Sequence, residues 1–339
     1  MARASSACAT DSPRERRERI VGSTWRPCDE IVLTQLEHDS NRAPWERAAA
    51  SSGATVRILP VRLQDCTLDV DELGELLSER TRLVCVACAS NAVGTIPPLR
   101  RIVEMAHSVG AEVFLDAVHY APHGLLDVAG WNCDYLACSP YKFFGPHVGI
   151  LWGRRHRLEE LPVEKVRPAP DTLPWRWVAG TPSYEAMAGA AAGIDYLASV
   201  GRHAMEQHGD DGSPRREALR TAFEMIGEYE RTLLRRLLDG LRERPQIRVW
   251  GITDEARFNE RVPTISFTHA TRTAPEVAAH LAARGIFCWA GNFYAVHLTE
   301  ALGLEPHGVV RIGILHYNTI QEIERLLEAI DALDDAAAK

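Results

Sequence analysis

Short apolar runs alternate with longer segments of helical periodicity from about residue 30 onward. The run EIVLTQLEH (30–38) predicts a strand, and APWERAAASSG (43–53) predicts a helix that stops at its final glycine. The run TVRILPV (55–61) predicts the next strand, and the leucines of DVDELGELLSER (69–80) repeat at helical spacing. An alternation of this kind is typical of a parallel sheet covered by helices.

The same pattern continues through the rest of the chain. The helix at 69–80 has Asp69 or Asp71 placed to cap its first turn. After a proline-rich passage at 162–174, we predict a small-residue helix from residue 184, a surface loop at 208–215 and a long charged helix to about residue 242. Further strands are predicted over RLVCVACAS, EVFLDAV, CDYLACS, VGILWG, IRVWGI, VPTISFTH, IFCWAG and VVRIGILHY.

These elements predict an α/β fold with two domains. The large domain would hold a mainly parallel sheet between helices, and a smaller α/β domain would follow it. The change in pattern places the boundary near residue 220. The predicted organisation is an extension without ordered structure over 1–24, a large domain over 25–220 and a small domain over 221–339.

Composition narrows the range of partners. The chain has 339 residues and a formal net charge of −8, which argues against a polyanion such as nucleic acid. The basic run at 14–19 is interleaved with glutamates, so a solvated helix or tail is the favoured interpretation. No apolar run approaches the roughly 20 residues that a membrane helix needs. We therefore expect neither a nucleic-acid nor a membrane partner.

The eight cysteines are dispersed through apolar segments and do not form a disulfide framework. Without a predicted signal peptide, this usage indicates the reducing cytoplasm. Cys85 and Cys88 form a C-x-x-C, yet their segment predicts a buried strand, in which residues three apart face opposite sides. A zinc or redox role is the weaker interpretation, and no metal site is expected.

Three predicted strands end in polar residues. His38 follows the first strand, Ser90 and Asn91 follow RLVCVACA, and Asp116 ends EVFLD. Because the carboxyl ends of parallel strands lie at one edge of a sheet, where ligands bind, we expect these side chains to converge. A carboxylate at the end of an apolar strand is costly unless it meets a cation or a strong donor.

Lys142 follows Asp116 after one further predicted strand and lies in the bend between two apolar runs. A partly buried lysine with a lowered pKa is the nucleophile that a Schiff base needs, and Asp116 would suit a protonated pyridine nitrogen. Together they predict pyridoxal phosphate, which acts as an electron sink. Each residue alone has an ordinary alternative, namely a solvated loop lysine and an aspartate that caps a strand end.

Six segments occur in the order in which the class V aminotransferase family has them. They are LEHDSNRAPW (36–45), ASNAVGT (89–95), LDAVHYAPHGLLDV (115–128), CDYLACSPYKFFGPHVGILWG (133–153), AGTPSYEA (179–186) and VVRIGILHYNT (309–319). The pattern S-x-x-K-x-x-G-P-x-x-G-x-L within the fourth segment is the most specific. Over roughly residues 25 to 335, the chain resembles this family of fold-type I pyridoxal-phosphate enzymes, and most of all its cysteine desulfurase-like branch.

The resemblance implies roles for the residues at the predicted sheet edge. Lys142 matches the Schiff-base lysine and proton shuttle, and Asp116 matches the partner of the pyridinium nitrogen. His38 matches an imidazole that stacks on the cofactor and assists proton transfer, although a strand-end histidine on its own is more often structural. Asn91 matches a residue near the phenolic oxygen of the cofactor. His119 stands where many relatives have Gln and could donate to the same oxygen.

The resemblance also implies phosphate and substrate contacts. Ser139 matches a phosphate-binding hydroxyl, and Tyr141 occupies the place of a histidine that precedes the lysine in relatives. Thr181 resembles a hydroxyl that reaches the phosphate of the neighbouring subunit, which implies a homodimer with a shared active site. Arg311, in an apolar strand, matches the residue that binds the α-carboxylate of the substrate, with a structural ion pair as the alternative.

Two departures from the family pattern leave the reaction type open. In GIFCWAGNFYAVHLTEALG (285–303), Tyr294 falls where a desulfurase carries its nucleophilic cysteine. Cys288 lies six residues earlier in an apolar run, where a packed side chain is favoured over a reactive thiolate. The phosphate-binding loop that opens relatives is not recognised before WRPCDEIVL, so we expect an incomplete phosphate site.

The expected function is that of a pyridoxal-phosphate transferase or lyase of this family. It would act on a small amino acid through a Lys142 Schiff base and a carbanion intermediate. The sequence does not choose the substrate, nor does it choose among elimination, transamination, racemisation and desulfuration. The alternatives are a catalytically silent homologue and a true cysteine desulfurase that uses Cys288. A nicotinamide enzyme is disfavoured because no G-x-G-x-x-G follows the first strand.

Overall fold

The computed structural model describes residues 21–178, 180–207 and 214–335. The strands are β1 Glu30–Thr34, β2 Thr55–Leu59, β3 Val61–Arg62, β4 Thr67–Leu68, β5 Thr81–Ala87, β6 Glu112–Asp116, β7 Tyr135–Cys138, β8 Ile150–Gly153, β9 Ile247–Trp250, β10 Thr264–His269, β11 Trp289–Gly291 and β12 Val309–Gly313. The α-helices are α1 Ala43–Ser52, α2 Val70–Leu76, α3 Leu99–Ser108, α4 Val128–Trp131, α5 Arg155–Glu160, α6 Tyr184–Gln207, α7 Arg215–Arg242, α8 Ala274–Ala282, α9 Val296–Ala301 and α10 Ile320–Asp335. Short 3-10 helices cover Asp39–Asn41, Pro140–Lys142, Trp175–Trp177 and Glu255–Glu260.

The main sheet has the strand order β2-β1-β5-β6-β7-β8. Its strands pair in parallel from β2 through β7, and β8 pairs with β7 in the antiparallel direction. The expected mainly parallel sheet is thus confirmed. The carboxyl ends of β1, β5, β6 and β7 consequently face one edge, and the chain turns there before each crossover.

The central strands β1, β5, β6 and β7 are buried on both faces, which explains why they are mostly apolar rather than alternating. In β1, Ile31 and Leu33 pack into one core cluster with Trp45 and Phe114, whereas Val32 packs into the other. Helix α1 ends at Gly53, whose φ of 79° is the left-handed conformation expected of a glycine stop.

The second sheet is smaller and antiparallel, in the order β11-β12-β10-β9. Its core contains Ile265 and Phe267 of β10, together with leucines from α7 and α10. The predicted strand over IFCWAG is wrong in its first half, because the strand begins only at Trp289. The amide of Ile286 still donates to the carbonyl of Leu281 at 3.1 Å, so the chain is leaving α8 at that point.

Helix α7 connects the two cores. Ile226 in its first half packs with the large core, and Leu233 in its second half packs with the small one. The boundary near residue 220 falls inside this helix, and the domain limits stay predictions. Three sequence predictions fall wholly or mainly outside the described residues: the extension over 1–24, the basic run at 14–19 and the loop at 208–215. For residues 21–24, which are described, the expected lack of ordered structure is wrong, because Val21 is buried in a core cluster.

Helix α6 packs against α7 through small residues and also supports the segment after Lys142. A Cβ added at Gly193 would lie 3.1 Å from the carbonyl oxygen of Phe143 and 3.3 Å from the amide nitrogen of Gly145. The absence of a side chain therefore lets this backbone approach α6 closely.

In the described ranges, no helix combines the length and the apolar composition that crossing a bilayer requires.

Candidate active site

A cavity of about 120 Å3 lies at the carboxyl edge of the main sheet. Its lining includes seven residues singled out by the sequence: His38, Asn91, Asp116, His119, Ser139, Tyr141 and Lys142. Most of these residues lie at or just after the carboxyl ends of β1, β5, β6 and β7, where polar residues follow the apolar strands. The expected convergence at one edge is therefore present.

Lys142 ends the 3-10 turn that connects β7 to β8. Its amide donates to the carbonyl of Ser139 at 3.0 Å, and its ammonium lies 5.6 Å from the ring centroid of Tyr141. Burial lowers the pKa of Lys142, the cationic Arg311 lowers it further, and the carboxylate of Asp116 opposes the shift. A larger fraction of this amine is consequently uncharged near neutral pH than for an exposed lysine.

Asp116 ends β6 with only 5% of its surface exposed. One carboxylate oxygen accepts a hydrogen bond of 3.0 Å from the amide of Val118. Its partner across the sheet is Ala87, the last residue of β5, so the carboxylate is fixed at the edge of the two central strands. A buried anion at this place suits a cationic N–H donor in the cavity.

Glu37 is a neighbour of the site that the sequence analysis missed. Its side chain is completely buried and accepts hydrogen bonds from the side chains of Thr34 and Asn41 and from the amide of Ala87. Burial raises the pKa of Glu37 to about 7, and the negative charge of Asp116 contributes in the same direction. The sequence signal for this residue is a glutamate between Leu36 and His38, at the end of an apolar strand, where a buried carboxyl group can be expected.

His38 follows β1 and caps the short helix Asp39–Asn41. Its Nδ1 accepts a hydrogen bond of 3.0 Å from the amide of Ser40, which leaves Nε2 as the protonated nitrogen of a neutral ring. The ring centroid lies 5.4 Å from that of Tyr294. The hydrogen bond from Ser40 and the contact with the Tyr294 ring therefore orient the imidazole.

Asn91 and His119 each carry one buried polar atom without a partner among the described residues. Asn91 donates from Nδ2 to the carbonyl of Phe293 at 2.8 Å, and its Oδ1 is unpartnered. Nε2 of His119 lies 2.8 Å from Oγ1 of Thr264, and its Nδ1 is unpartnered. Burial and the nearby cations hold the pKa of His119 well below its usual value. Both residues line the cavity, and their unpaired buried atoms suit a ligand with polar ring substituents.

Of the three predicted phosphate contacts, two line the cavity. Ser139 borders it directly, and Tyr141 is 46% exposed with its ring stacked on His147 at 5.0 Å. Thr181 is exposed and does not line this cavity. Its predicted contact with a neighbouring subunit stays a prediction.

Arg311 extends from β12 of the small sheet towards the same edge. Its Nη1 donates to the carbonyl of Asn91 at 2.7 Å, and its guanidinium carbon lies 4.0 Å from the ring centroid of Phe293. Burial lowers the pKa of Arg311 to about 10. No carboxylate of the described residues forms an ion pair with it, so the ion-pair alternative gains no support there.

The thiols take no part in the cavity lining. Cys288 is half-buried beside the small core, and burial raises its pKa, as expected for a packed side chain rather than a reactive thiolate. Cys85 of β5 and Cys88, which directly follows that strand, pack into different core clusters, as expected for residues on opposite sides of the sheet. The described part of the chain contains no cluster that could hold a metal ion.

Comparisons with known proteins identify the family of the chain. The sequence model of the family described as aminotransferase class-V matches residues 18–214 and 217–326. The aminotransferase-like protein FGM3 of Gibberella zeae is 33% identical over 316 residues, which cover 90% of this chain and 73% of that protein. A cysteine desulfurase of Pectobacterium carotovorum is 30% identical over 321 residues, which cover 91% of this chain and 72% of that protein.

A solved structure shows the same architecture. The cysteine desulfurase CsdA of Escherichia coli, in its S-sulfonic acid form, superimposes with a TM-score of 0.80 at 26% identity. The superposition covers 96% of this chain and 77% of that one. The family resemblance and the fold class expected from the sequence are both confirmed.

The raised pKa of Glu37 predicts a specific dependence of stability on pH. The folded protein keeps this proton up to about pH 7, whereas an unfolded glutamate releases it near 4.5. The free energy of unfolding should therefore fall by about 3 kcal/mol from this group as the pH rises through that window. In Glu37→Gln this contribution disappears, so the pH dependence flattens relative to wild type.

Denaturant unfolding of both proteins at pH 5 and pH 8 measures this difference. The exposed Glu75→Gln is the matched control, and it should follow the wild-type pH dependence. Parallel pH profiles for wild type and Glu37→Gln would contradict the assignment of a neutral Glu37.

Proposed function

The chain belongs to the aminotransferase class-V family, and from that premise we propose that Lys142 and Asp116 hold its pyridoxal phosphate. It is a pyridoxal-phosphate-dependent enzyme of the cysteine desulfurase-like branch. When bound, the cofactor supplies an electron sink for a carbanion beside the substrate nitrogen. The observation that carries the proposal is the cavity shared by a lysine of lowered pKa and a buried aspartate.

Each polar group of the cofactor has a proposed partner in the cavity. Asp116 would accept a hydrogen bond from the protonated ring nitrogen, and Asn91 and His119, each with one unpartnered polar atom, would bind the polar ring substituents. His38, whose Nδ1 accepts from the amide of Ser40, would stack on the ring. Ser139, Tyr141 and, from a neighbouring subunit, Thr181 are the proposed phosphate contacts. We therefore propose a homodimer with a shared site.

Lys142 is the proposed base and acid of the reaction. The amine would hold the cofactor through its aldehyde, and in turnover it would move the proton at the α-carbon of the substrate. Its lowered pKa favours the uncharged form that both tasks need. Because Glu37 is neutral, it adds no second negative charge beside Asp116, and a second negative charge would favour the protonated form of Lys142.

Arg311 is the proposed site for the α-carboxylate of a small amino acid. A guanidinium binds a carboxylate through two parallel hydrogen bonds, and no carboxylate of the described residues competes for it. The position of Arg311 beside Asn91 brings a substrate bound there to the edge where Lys142 lies.

No thiol of the described residues lines the cavity, and this favours a reaction without a persulfide. Tyr294 stands at the loop position of the desulfurase cysteine, and Cys288 is a packed thiol with a raised pKa. Elimination, transamination and racemisation all begin with removal of a proton by Lys142. We propose a reaction of this group, in the cytoplasm and within amino-acid metabolism.

Chemical trapping of the cofactor tests the role of Lys142. The chain has only three lysines, Lys142, Lys165 and Lys339, so the site of attachment is readily mapped. After incubation with pyridoxal phosphate and reduction with borohydride, mass spectrometry should find the phosphopyridoxyl group on the peptide of Lys142. Lys142→Ala should lose this adduct together with the visible absorbance band of the lysine-bound cofactor.

Lys165→Ala is the matched control, because that ammonium is engaged with the carbonyl of Ala169 and the carboxylate of Asp171. It should keep both the band and the adduct. Labelling spread over several lysines, or no band with excess cofactor, would instead favour a catalytically silent homologue.

The products of turnover separate the remaining reaction classes. With a panel of small amino acids that includes cysteine, we expect pyruvate, keto acid or the opposite enantiomer to accumulate. Any sulfide from cysteine should be formed equally by wild type and by Cys288→Ala, since that thiol is packed rather than reactive. Sulfide release that is lost in Cys288→Ala would establish a desulfurase that uses this thiol.

A further inference from the structure

The loop between β11 and α9 carries two aromatic residues in the left-handed conformation. Phe293 has a φ of 55° and Tyr294 a φ of 57°, a region that bulky side chains rarely adopt. Backbone strain of this kind persists only where surrounding contacts determine it, and it is concentrated at functional sites. The contacts of this loop therefore indicate what it holds in place.

Both carbonyls of the loop are anchored to the edge of the main sheet. The side chain of Asn91 donates to the carbonyl of Phe293 at 2.8 Å, and the amide of Asp39 donates to the carbonyl of Tyr294 at 2.6 Å. Within the loop, the amide of Tyr294 donates to Oδ1 of Asn292 at 3.1 Å. The aromatic loop is thus fixed between the residues that follow β1 and β5.

The ring of Phe293 supports the cation of Arg311. The guanidinium carbon lies 4.0 Å from the ring centroid, and the ring also packs against the large core. Arg311 makes one hydrogen bond with the described residues, from Nη1 to the carbonyl of Asn91. Asn91 therefore contacts both residues: its side chain donates to the carbonyl of Phe293, and its backbone carbonyl accepts from Arg311.

We propose that Phe293 is the positioning residue for Arg311 and takes the place of a counter-ion. The inference rests on the proposed function, in which Arg311 binds the substrate carboxylate. An aromatic face attracts a guanidinium through its π-system and leaves the in-plane N–H groups available. A carboxylate in the same place would occupy those N–H groups and compete with the substrate. The ring thus stabilises the cation without blocking it.

Binding of propionate to the holoprotein tests this proposal, because propionate has the carboxylate but no amine and does not turn over. Equilibrium dialysis gives its dissociation constant, and propionamide serves as the uncharged analogue. Wild type should prefer propionate. Phe293→Leu and Phe293→Met keep apolar volume but lose the aromatic face, so each should weaken propionate binding by about 2- to 30-fold and leave propionamide unchanged.

Two variants separate the ring from general effects of substitution. Phe293→Tyr keeps the aromatic face and should bind propionate as wild type does. Phe287→Leu is the matched control, since it makes the same change at a small-domain residue that is 94% exposed, and it should also bind as wild type. Thermal denaturation and the cofactor band of each variant report folding and cofactor retention independently of propionate.

Arg311→Lys distinguishes failure of the inference from failure of the proposed function. Weakened binding in Arg311→Lys with unchanged binding in Phe293→Leu and Phe293→Met would overturn the role of Phe293 alone. Equal weakening in the Leu, Met and Tyr variants would also overturn it, because packing rather than the aromatic face would then matter. Binding by Arg311→Lys at the wild-type level would overturn both the carboxylate site and the positioning role.

Discussion

An amine, a carboxylate and a guanidinium share one partly buried edge of a parallel sheet, and the site depends on how their charges are balanced there. Burial and Arg311 both disfavour the charged form of Lys142, while Asp116 favours it. A second carboxylate at this edge would shift the balance towards a protonated lysine. Glu37 avoids this by remaining neutral up to about pH 7. The fraction of Lys142 in its uncharged, reactive form therefore depends on all the charged groups at this edge.

The fold produces this edge from the ends of its strands. β1, β5 and β6 stop at neighbouring positions, and the short turn after β7 places Lys142 beside them. The small sheet contributes the third charge, because β12 directs Arg311 towards Asn91. The aromatic loop that follows β11 joins the two parts of the site. The arrangement needs both sheets and their shared helix α7.

Much of this site could be predicted because its local signals are strong. An apolar strand that ends abruptly in Asp116, and a lysine between two apolar runs, are visible without coordinates. The rule that parallel strands end at one edge then brings them together. Helix limits such as Gly53 and the cap at Asp69 follow from equally local chemistry.

Other features depend on which elements become neighbours, and the sequence does not contain that information locally. Glu37 is stabilised by the amide of Ala87, which is adjacent only because β5 pairs with β1. The stacking of Arg311 on Phe293 likewise depends on the pairing of β11 with β12, which brings the loop after β11 beside Arg311. The start of β11 also differs from the prediction, because Ile286 is still hydrogen-bonded to Leu281 at the end of α8.

The pairing of Lys142 and Asp116 around one ring determines the protonation state of the cofactor ring nitrogen. Nitrogen-15 NMR of holoprotein prepared with labelled pyridoxal phosphate reports this state. We expect a protonated ring nitrogen in wild type at pH 8 and an unprotonated one in Asp116→Asn, since the buried carboxylate is what holds the proton. A ring nitrogen that is unprotonated in wild type, or unaffected by Asp116→Asn, would contradict the pairing of Lys142 and Asp116 around one ring.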